Sequence, residues 1–265
     1  ILKYQPNKSF MEILINKYLS KYSDFKQFIL YPKYFFVNKN NSYFYVIEKY
    51  DTDLYTYLKK KKEPIDDNEL MYIIKFLTKI IYFLHEIDII YADIKLENIV
   101  VNLENNKISN MKLIDFDVSL FDNLPNEFEN FDFKIQKLLN NKKPRGTKIY
   151  MSNNKIMEKS NDIYSFGTFL IILLYKNVVK ILNDNKLKIS DNLLFKILNR
   201  LTYYKNKIED DQYKKKLIKY IFRIYNDKRF KHYWNNKISM KNIYNNVKKC
   251  IDQSINMNEL YLNLC

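Results

Sequence analysis

Four polar residues in a fixed order could carry chemistry in this chain. Asp93, Lys95 and Asn98 lie within Tyr91-Ala92-Asp93-Ile94-Lys95-Leu96-Glu97-Asn98, and Asp115 lies within Leu113-Ile114-Asp115-Phe116-Asp117. A carboxylate, an amine, an amide and a second carboxylate are the groups that phosphoryl transfer from Mg-ATP requires. In that chemistry one Asp takes the proton of the attacking hydroxyl and a Lys offsets charge on the moving phosphoryl group, while an Asn and a second Asp hold the metal ions. Asp-x-Lys-x-x-Asn also occurs by chance, where such side chains bond their own loop backbone, and an Asp after a strand is often only a turn residue. What separates the two readings is the order of the surrounding elements.

Those elements can be read from periodicity. Leu70, Ile73, Ile74, Leu77, Ile81 and Leu84 form one helical stripe and predict a long helix from about Asp67 to His85, just ahead of Asp93. The apolar runs Ile99 to Leu103 and Met111 to Ile114 predict a hairpin that separates Asn98 from Asp115. Upstream, the capping-box spacing of Ser9 and Glu12 and the stripe Met11, Leu14, Ile15 and Tyr18 predict a short helix to Leu19. Strands are expected at Phe28 to Val37 and Tyr43 to Ile47, joined by a turn at Asn38-Lys39-Asn40-Asn41, with a further strand at Ile1-Leu2-Lys3. After Glu48 helical periodicity dominates, with helices expected at Asp53 to Lys60, Asn161 to Tyr175, Asp191 to Leu201, Gln212 to Tyr225 and Met240 to Cys250. The change of character near Tyr50 marks a hinge.

Composition narrows the setting. With 265 residues, 47% of them hydrophobic, the chain can bury a sizeable core, and a folded, soluble protein is expected. The net charge of +15 is spread along the chain, with short clusters at Lys59 to Lys62 and Lys214 to Lys216. No nucleic-acid motif accompanies it, so it reads as a solvated surface and no specific nucleic-acid partner is expected. Cys250 and Cys265 make no disulfide framework and lack His or Cys neighbours at metal-ligand spacing, which points to a reducing compartment and no zinc site. The longest apolar run, Ile163 to Tyr175, is interrupted by Ser165, Gly167 and Thr168 and falls short of the ~20 residues of a bilayer span, so a buried helix and no membrane are expected. No signal peptide is visible and no Met begins the chain, as in a processed or cropped product. Abundant Lys and Asn with Arg only at 145, 200, 223 and 229 point to an AT-rich genome, such as that of a large DNA virus or a protozoan. A cytoplasmic location is expected, the host cytoplasm if the source is viral.

Taken together these features resemble the eukaryotic-type protein kinase family, of the Ser/Thr kind. The stretch around Asp93 is similar to the family's catalytic loop, and Leu113-Ile114-Asp115-Phe116-Asp117 to its metal-binding motif. Gly146-Thr147-Lys148-Ile149-Tyr150-Met151 resembles the end of the activation segment, and Asp162-Ile163-Tyr164-Ser165-Phe166-Gly167 the start of the central buried helix. Asp227-Lys228-Arg229 resembles a late motif that carries a structural Arg, and the only two glycines fall in two of these motifs. The resemblance covers nearly the whole chain. It implies an α+β, bilobal protein-kinase-like fold, with a small, incomplete β-containing N-lobe over residues 1–48, a hinge over 49–53 and a mainly helical C-lobe over 54–265.

Transferred residue by residue, the resemblance implies that Asp93 is the catalytic base and that Lys95 sits near the γ-phosphate, the pattern of Ser/Thr kinases. It makes Asn98 a ligand of one Mg2+ and Asp115 a bridge to both ions, with ATP as the nucleotide. Tyr45-Val46-Ile47-Glu48-Lys49-Tyr50 resembles the strand at the hinge, where the backbone of Glu48 and Tyr50 meets adenine and Ile47 is the gatekeeper. Asp53 either reaches the ribose or caps a helix. Lys3 resembles the strand Lys that grips the α- and β-phosphates, with Glu12 as its helix partner; the competing reading is a surface Lys and a capping Glu. The implied reaction is transfer of the γ-phosphate of Mg-ATP to Ser/Thr hydroxyls of a protein substrate. The alternative is a pseudokinase scaffold. No oligomeric state is implied.

The chain departs from the family in four places. It has no Gly-rich phosphate loop, since both glycines lie in the C-terminal half, and this motivates the scaffold alternative. Tyr91-Ala92 replaces the His-Arg pair, which removes the guanidinium that would meet a phosphorylated activation segment, so activity is expected not to depend on such phosphorylation. Asp117 stands where the metal motif has Gly, placing a side chain at a position expected to need an unusual torsion. Ser152-Asn153-Asn154 replaces Ala-Pro-Glu, so Arg229, expected to be buried, lacks its usual carboxylate, and Glu158 is the expected replacement.

Overall fold

The computed structural model describes residues 2–5, 10–32, 34–37, 43–183, 190–229 and 240–265. The chain packs as two compact units, one built from Ile1–Tyr57, Phe83–Gly146 and Asn153–Asp162, the other from Leu58–Tyr82, Thr147–Ser152 and Ile163–Cys265. These packing units are a different division from the lobes expected over 1–48 and 54–265 and do not bear on it.

In the first unit, β1 (Leu2–Gln5), β2 (Tyr34–Val37) and β3 (Tyr43–Val46) form an antiparallel sheet in the order β1-β3-β2, with Lys3 opposite Tyr45 and Phe36 opposite Phe44. Aromatic residues and valine favour such extended pairing. Helix α1 (Phe10–Leu19) buries Met11, Leu14 and Ile15 of the predicted stripe, while Tyr18 is half-buried and Leu19, outside that stripe, is buried as well. The run Phe28 to Val37 is not one strand. Ile29 makes an isolated parallel bridge to Leu113, with Leu113 N–H donating to the Phe28 carbonyl at 2.7 Å and Leu30 N–H to the Leu113 carbonyl at 3.1 Å. Pro32, which has no N–H, separates this bridge from β2. The turn expected at Asn38 to Asn41 and the cap at Ser9 lie outside the described residues.

The hairpin that the site requires is present. β6 (Ile99–Glu104) and β7 (Lys107–Leu113) pair antiparallel with Ile99 opposite Leu113, and β4 (Thr52–Asp53) lies on the other edge of β6. The two residues of the turn, Asn105 and Asn106, have φ of 51° and 60°, the left-handed conformation that Asn tolerates and a tight hairpin of primed type demands. A two-stranded pair, β5 (Ile89–Ile90) with β8 (Leu120–Phe121), brackets the loop that carries Asp93. Helix α4 (Phe133–Leu139), too short for periodicity to reveal, interrupts the long polar stretch before Gly146.

The second unit is helical. Helix α3 (Asp67–Glu86), which contributes to both units, buries the whole predicted stripe from Leu70 to Leu84. Helix α5 (Lys159–Leu182) runs 24 residues, longer than the apolar run suggested, because Asn161, Asp162, Asn177 and Lys180 are carried within it. Its length and apolarity would suit a bilayer span, but 78% of its most apolar window is buried inside the protein, as in a core helix. Further on are α6 (Asp191–Asn206), α7 (Asp211–Tyr225), α8 (Met240–Ile251) and a closing α9 (Met257–Leu264) that the sequence reading lacked. Gly167 explains how α8 comes so near α5: a Cβ there would lie 2.7 Å from the Cβ of Cys250. Asn177 closes the helical core, accepting from Ile65 N–H at 2.9 Å while its amide lies 3.3 Å from the Tyr225 hydroxyl.

Candidate active site

The loop between β5 and β6 is held from beneath by apolar residues and from behind by one carboxylate. Tyr91, Ala92, Ile94 and Leu96 are buried and seat the stretch that carries Asp93, itself buried, and Lys95. Asp162, fully buried at the start of α5, accepts the Tyr91 N–H at 2.7 Å and the Ala92 N–H at 2.8 Å, and its second contact to Oδ2 is His85 Nε2 at 3.0 Å. A carboxylate only accepts, so His85 presents its Nε2–H here. Two backbone N–H groups and an imidazole thereby satisfy a charge that would otherwise be costly to bury. The Tyr91 hydroxyl donates to the Ile114 carbonyl at 2.5 Å and its ring meets Phe116 edge-on at 5.2 Å, so this side chain ties the loop to the segment carrying Asp115. Burial first, then the nearby Asp93 and Asp115 carboxylates, pushes the Tyr91 phenol well above its ordinary range and keeps it a neutral donor.

Asp93, Lys95 and Asn98 come together as expected. Asn98 Nδ2 donates to the Asp93 backbone carbonyl and to Asp93 Oδ2, both at 2.9 Å, and Lys95 Nζ contacts the same Oδ2. The carboxylate is nine-tenths buried, so both hydrogen bonds act where screening by water is weak. The Ile114 N–H donates to the Asn98 carbonyl at 3.0 Å, which couples the end of this loop to the start of the next.

Asp115 belongs to a second group. Oxygens of Glu12, Asp115 and Asp117 lie within 4.8 Å of one another, Glu12 being 6% exposed. Glu12, Asn16, Ile47, Ile114, Asp115 and Phe116 line a cavity of about 80 Å3, and Asn16 Oδ1, on that wall, is buried without a hydrogen-bond partner. Three carboxylates so close repel unless a cation or a proton joins them, and an all-oxygen donor set suits a hard divalent ion, so these residues fit Mg2+. The Asn98 nitrogen is directed at Asp93, and Asn98 is not one of these three carboxylate residues.

This geometry revises two expectations, the torsion at Asp117 and the burial of Arg229, and adds local contacts for other residues singled out in the sequence. The left-handed torsions fall at Ala92 (φ 69°) and Asp115 (φ 67°) and not at Asp117, whose contribution is a third carboxylate. The signal for that was present in the sequence as Asp in place of Gly two positions after Asp115. The Lys3 side chain lies outside the described residues, so the Lys3–Glu12 pair does too; what the structure shows of Glu12 is its place beside Asp115 and Asp117. Asp53 caps α2 (Leu54–Lys60), accepting from Thr56 N–H at 2.8 Å. Glu48 is exposed, whereas Tyr50 is buried and its hydroxyl accepts from Asn110 Nδ2 at 3.1 Å, and Asp51 N–H donates to the Val101 carbonyl at 3.1 Å, pinning this connection to β6. Arg229 is exposed and pairs with its near neighbour Asp227, Nε lying 2.9 Å from Oδ1, so no buried guanidinium calls for Glu158.

The segment from Asp122 to Gly146 is held by lysine. Lys142 Nζ lies 2.9 Å from Asp122 Oδ1, and Lys159 Nζ lies 2.6 Å from Asp88 Oδ1 and 3.9 Å from Asp122 Oδ2. At its far end Gly146, with φ 117°, rests on the catalytic loop: a Cβ there would stand 2.2 Å from the Ala92 carbonyl oxygen.

Comparison with known proteins bears on the family and the fold. A family model described as protein kinase domain matches residues 2–257. The chain is 39% identical over 84 residues to the probable serine/threonine-protein kinase fnkB of Dictyostelium discoideum, covering 31% of this chain and 15% of that protein. It is 28% identical over 166 residues to the dual specificity protein kinase zak2 of the same organism, covering 61% and 22%. A further probable serine/threonine-protein kinase of that organism is 34% identical over 169 residues, covering 58% and 23%. The alignments thus span less than a quarter of the length of these relatives. Among solved structures, the yeast RNA Pol II CTD kinase CTDK-1 complex contains a chain that superposes with a TM-score of 0.57 at 16% identity, covering 98% of this chain and 83% of that one. The α+β protein-kinase fold expected from the sequence is the fold the chain adopts.

Proposed function

The chain belongs to the protein kinase family, and on that premise we propose that it transfers the γ-phosphate of Mg-ATP to Ser or Thr hydroxyls of a protein substrate. The observation that supports this most is the buried Asp93 carboxylate, held at one oxygen by Lys95 and Asn98 one hairpin away from Asp115. The substrate hydroxyl gives its proton to the Asp93 carboxylate as it attacks. Lys95 and Asn98 fix the direction of that carboxylate, and the Lys95 ammonium offsets charge on the phosphoryl group in transfer. Asp115, Asp117 and Asn98 would hold the magnesium, which when bound supplies neutralisation of the phosphate charge. The backbone of Glu48 and Tyr50 would meet adenine and Ile47 would border it, with residues 1–48 and 54–265 acting as the two lobes about a hinge at 49–53. The contacts of Lys142 and Lys159 with Asp122 would help keep the activation segment in place without a phosphate.

Incubation with γ-labelled ATP, magnesium and a basic or an acidic test protein, followed by phosphoamino-acid analysis, tests the reading. Label on Ser or Thr is expected, insensitive to phosphatase treatment of the kinase beforehand. Label on Tyr alone would contradict the acceptor class. Binding of Mg-ATP with no transfer to any acceptor would replace an enzyme with a scaffold.

A further inference from the structure

The second unit carries an open groove of about 570 Å3 on α6 that plays no part in the proposed chemistry. Asn192, Phe195, Lys196, Asn199, Arg200 and Tyr203 line it, at the spacing of a single helical stripe. Ile197 and Leu201, on the opposite side of α6, are buried in the core. Phe195 is therefore not a core residue that strayed to the edge; it stands on the outer face, 65% exposed, with Tyr203 at 49%.

Of the two cations that line the groove, Arg200 is held against rings, as are Lys207 and Lys216 further along the same face. The Arg200 guanidinium lies over the Tyr204 and Tyr220 rings at 5.9 and 5.4 Å, and its Nε donates to the Tyr204 hydroxyl at 3.1 Å. Lys207 Nζ lies over Tyr203 and Tyr213 at 4.7 and 5.0 Å, and Lys216 Nζ over Tyr213 at 4.7 Å. Between Asp191 and Arg223 there are nine basic and four acidic residues, and three of those acids are engaged elsewhere. Glu209 meets Lys148, Asp210 caps α7 through Gln212 N–H, and Asp211 contacts Tyr164 and Lys214. Among the described residues, no carboxylate lines the groove.

We propose that this outer stripe of α6 is a docking surface for an acidic protein segment with one aromatic or aliphatic anchor, the anchor covering Phe195 and the carboxylates meeting Lys196 and Arg200. Arg200, already held against two rings, loses little side-chain freedom when it meets an anion. The same crowding argues against a nucleic-acid strand. The tyrosine rings that would stack on bases are covered by lysine and arginine or turned edge-on to one another, as Tyr203 is to Tyr213 at 74° and Tyr204 to Tyr220 at 85°. The inference does not depend on the phosphoryl-transfer reading.

The test is fluorescence anisotropy with the full chain and a short labelled Asp/Glu peptide carrying a central Leu, set against its Asn/Gln counterpart and a single-stranded RNA of matched length. Salt-sensitive binding of the acidic peptide is expected, weakened about tenfold or more by Lys196→Glu with Arg200→Glu, and also by Phe195→Ser. These side chains are exposed, so melting temperatures should stay at the wild-type value. Hydrogen exchange on the unmodified protein reads the same surface, with protection of 191–206 expected when the acidic peptide is added. Equal binding of the neutral peptide, tighter binding of the RNA, or no protection of α6 would overturn the proposal.

Discussion

Asp162 Oδ1 accepts the backbone N–H of Ala92 at 2.8 Å across 70 residues of sequence, so the loop that carries Asp93 hangs from a carboxylate at the start of α5. Ala92 has a left-handed torsion, and the hydrogen bond holds it in that sparsely populated conformation. The position of Asp93 follows from this anchor and not from its own neighbours alone.

Replacing that carboxylate by an amide tests the anchor. In Asp162→Asn one of the three donors from Tyr91, Ala92 and His85 must face an NH2 group. A loss of about 2–3 kcal/mol in unfolding free energy by urea denaturation is expected. A variant as stable as wild type would show that the loop is held by other means.

Gly146→Ala should act on the activation segment. The added methyl would stand 2.2 Å from the Ala92 oxygen, and φ of 117° is open to few residues with a side chain. Faster cleavage between Asp122 and Arg145 in limited proteolysis is expected, with transfer activity reduced at least about tenfold. Unchanged cleavage would mean that the segment is held only by its lysine pairs.

Magnesium should stabilise the protein before any nucleotide is added. Three carboxylates crowd one another at Glu12, Asp115 and Asp117, so an ion that joins them shifts folding toward the native state. Asp117→Asn removes one like charge and is expected to raise the metal-free melting temperature while shrinking the shift on adding magnesium. An equal magnesium shift in wild type and variant would remove Asp117 from the ligand set.

Lys180 gives a prediction in pH. Burial first, then Lys61 and Lys176, lowers its pKa to about 8, with Glu69 opposing. The folded protein releases this proton more readily than the unfolded chain, whose lysine titrates near ~10.4. Below pH 8 the half-buried ammonium therefore weakens folding, and stability recovers as pH rises from about 8 toward 10. Melting temperatures measured across that window should rise in wild type relative to Lys180→Met. Parallel curves for the two proteins would contradict the assignment.

Much of the site was legible because its residues are close in sequence and bounded by strong periodicity. Asp93, Lys95 and Asn98 sit within one turn, and the stripe of α3 and the β6–β7 hairpin were each marked by apolar spacing. What could not be read were relationships set by tertiary packing. Nothing in the local sequence shows that Glu12 would stand beside Asp115, because α1 and that loop are joined only by the fold. The sequence also could not say which residue near Asp115 would bear the unusual torsion. The expectation fell on Asp117 because Gly is missing there, whereas the strain lies at Asp115 and Ala92. Arg229 was expected to be buried by family likeness, yet it is satisfied on the surface by a carboxylate two residues away.

The most direct test compares wild type with Asp93→Asn for transfer of labelled γ-phosphate from Mg-ATP to a protein acceptor. The amide preserves shape and cannot take the hydroxyl proton, so a fall in turnover of about a thousandfold, with Mg-ATP binding retained, is the expected result. Equal transfer by the two forms would contradict the account.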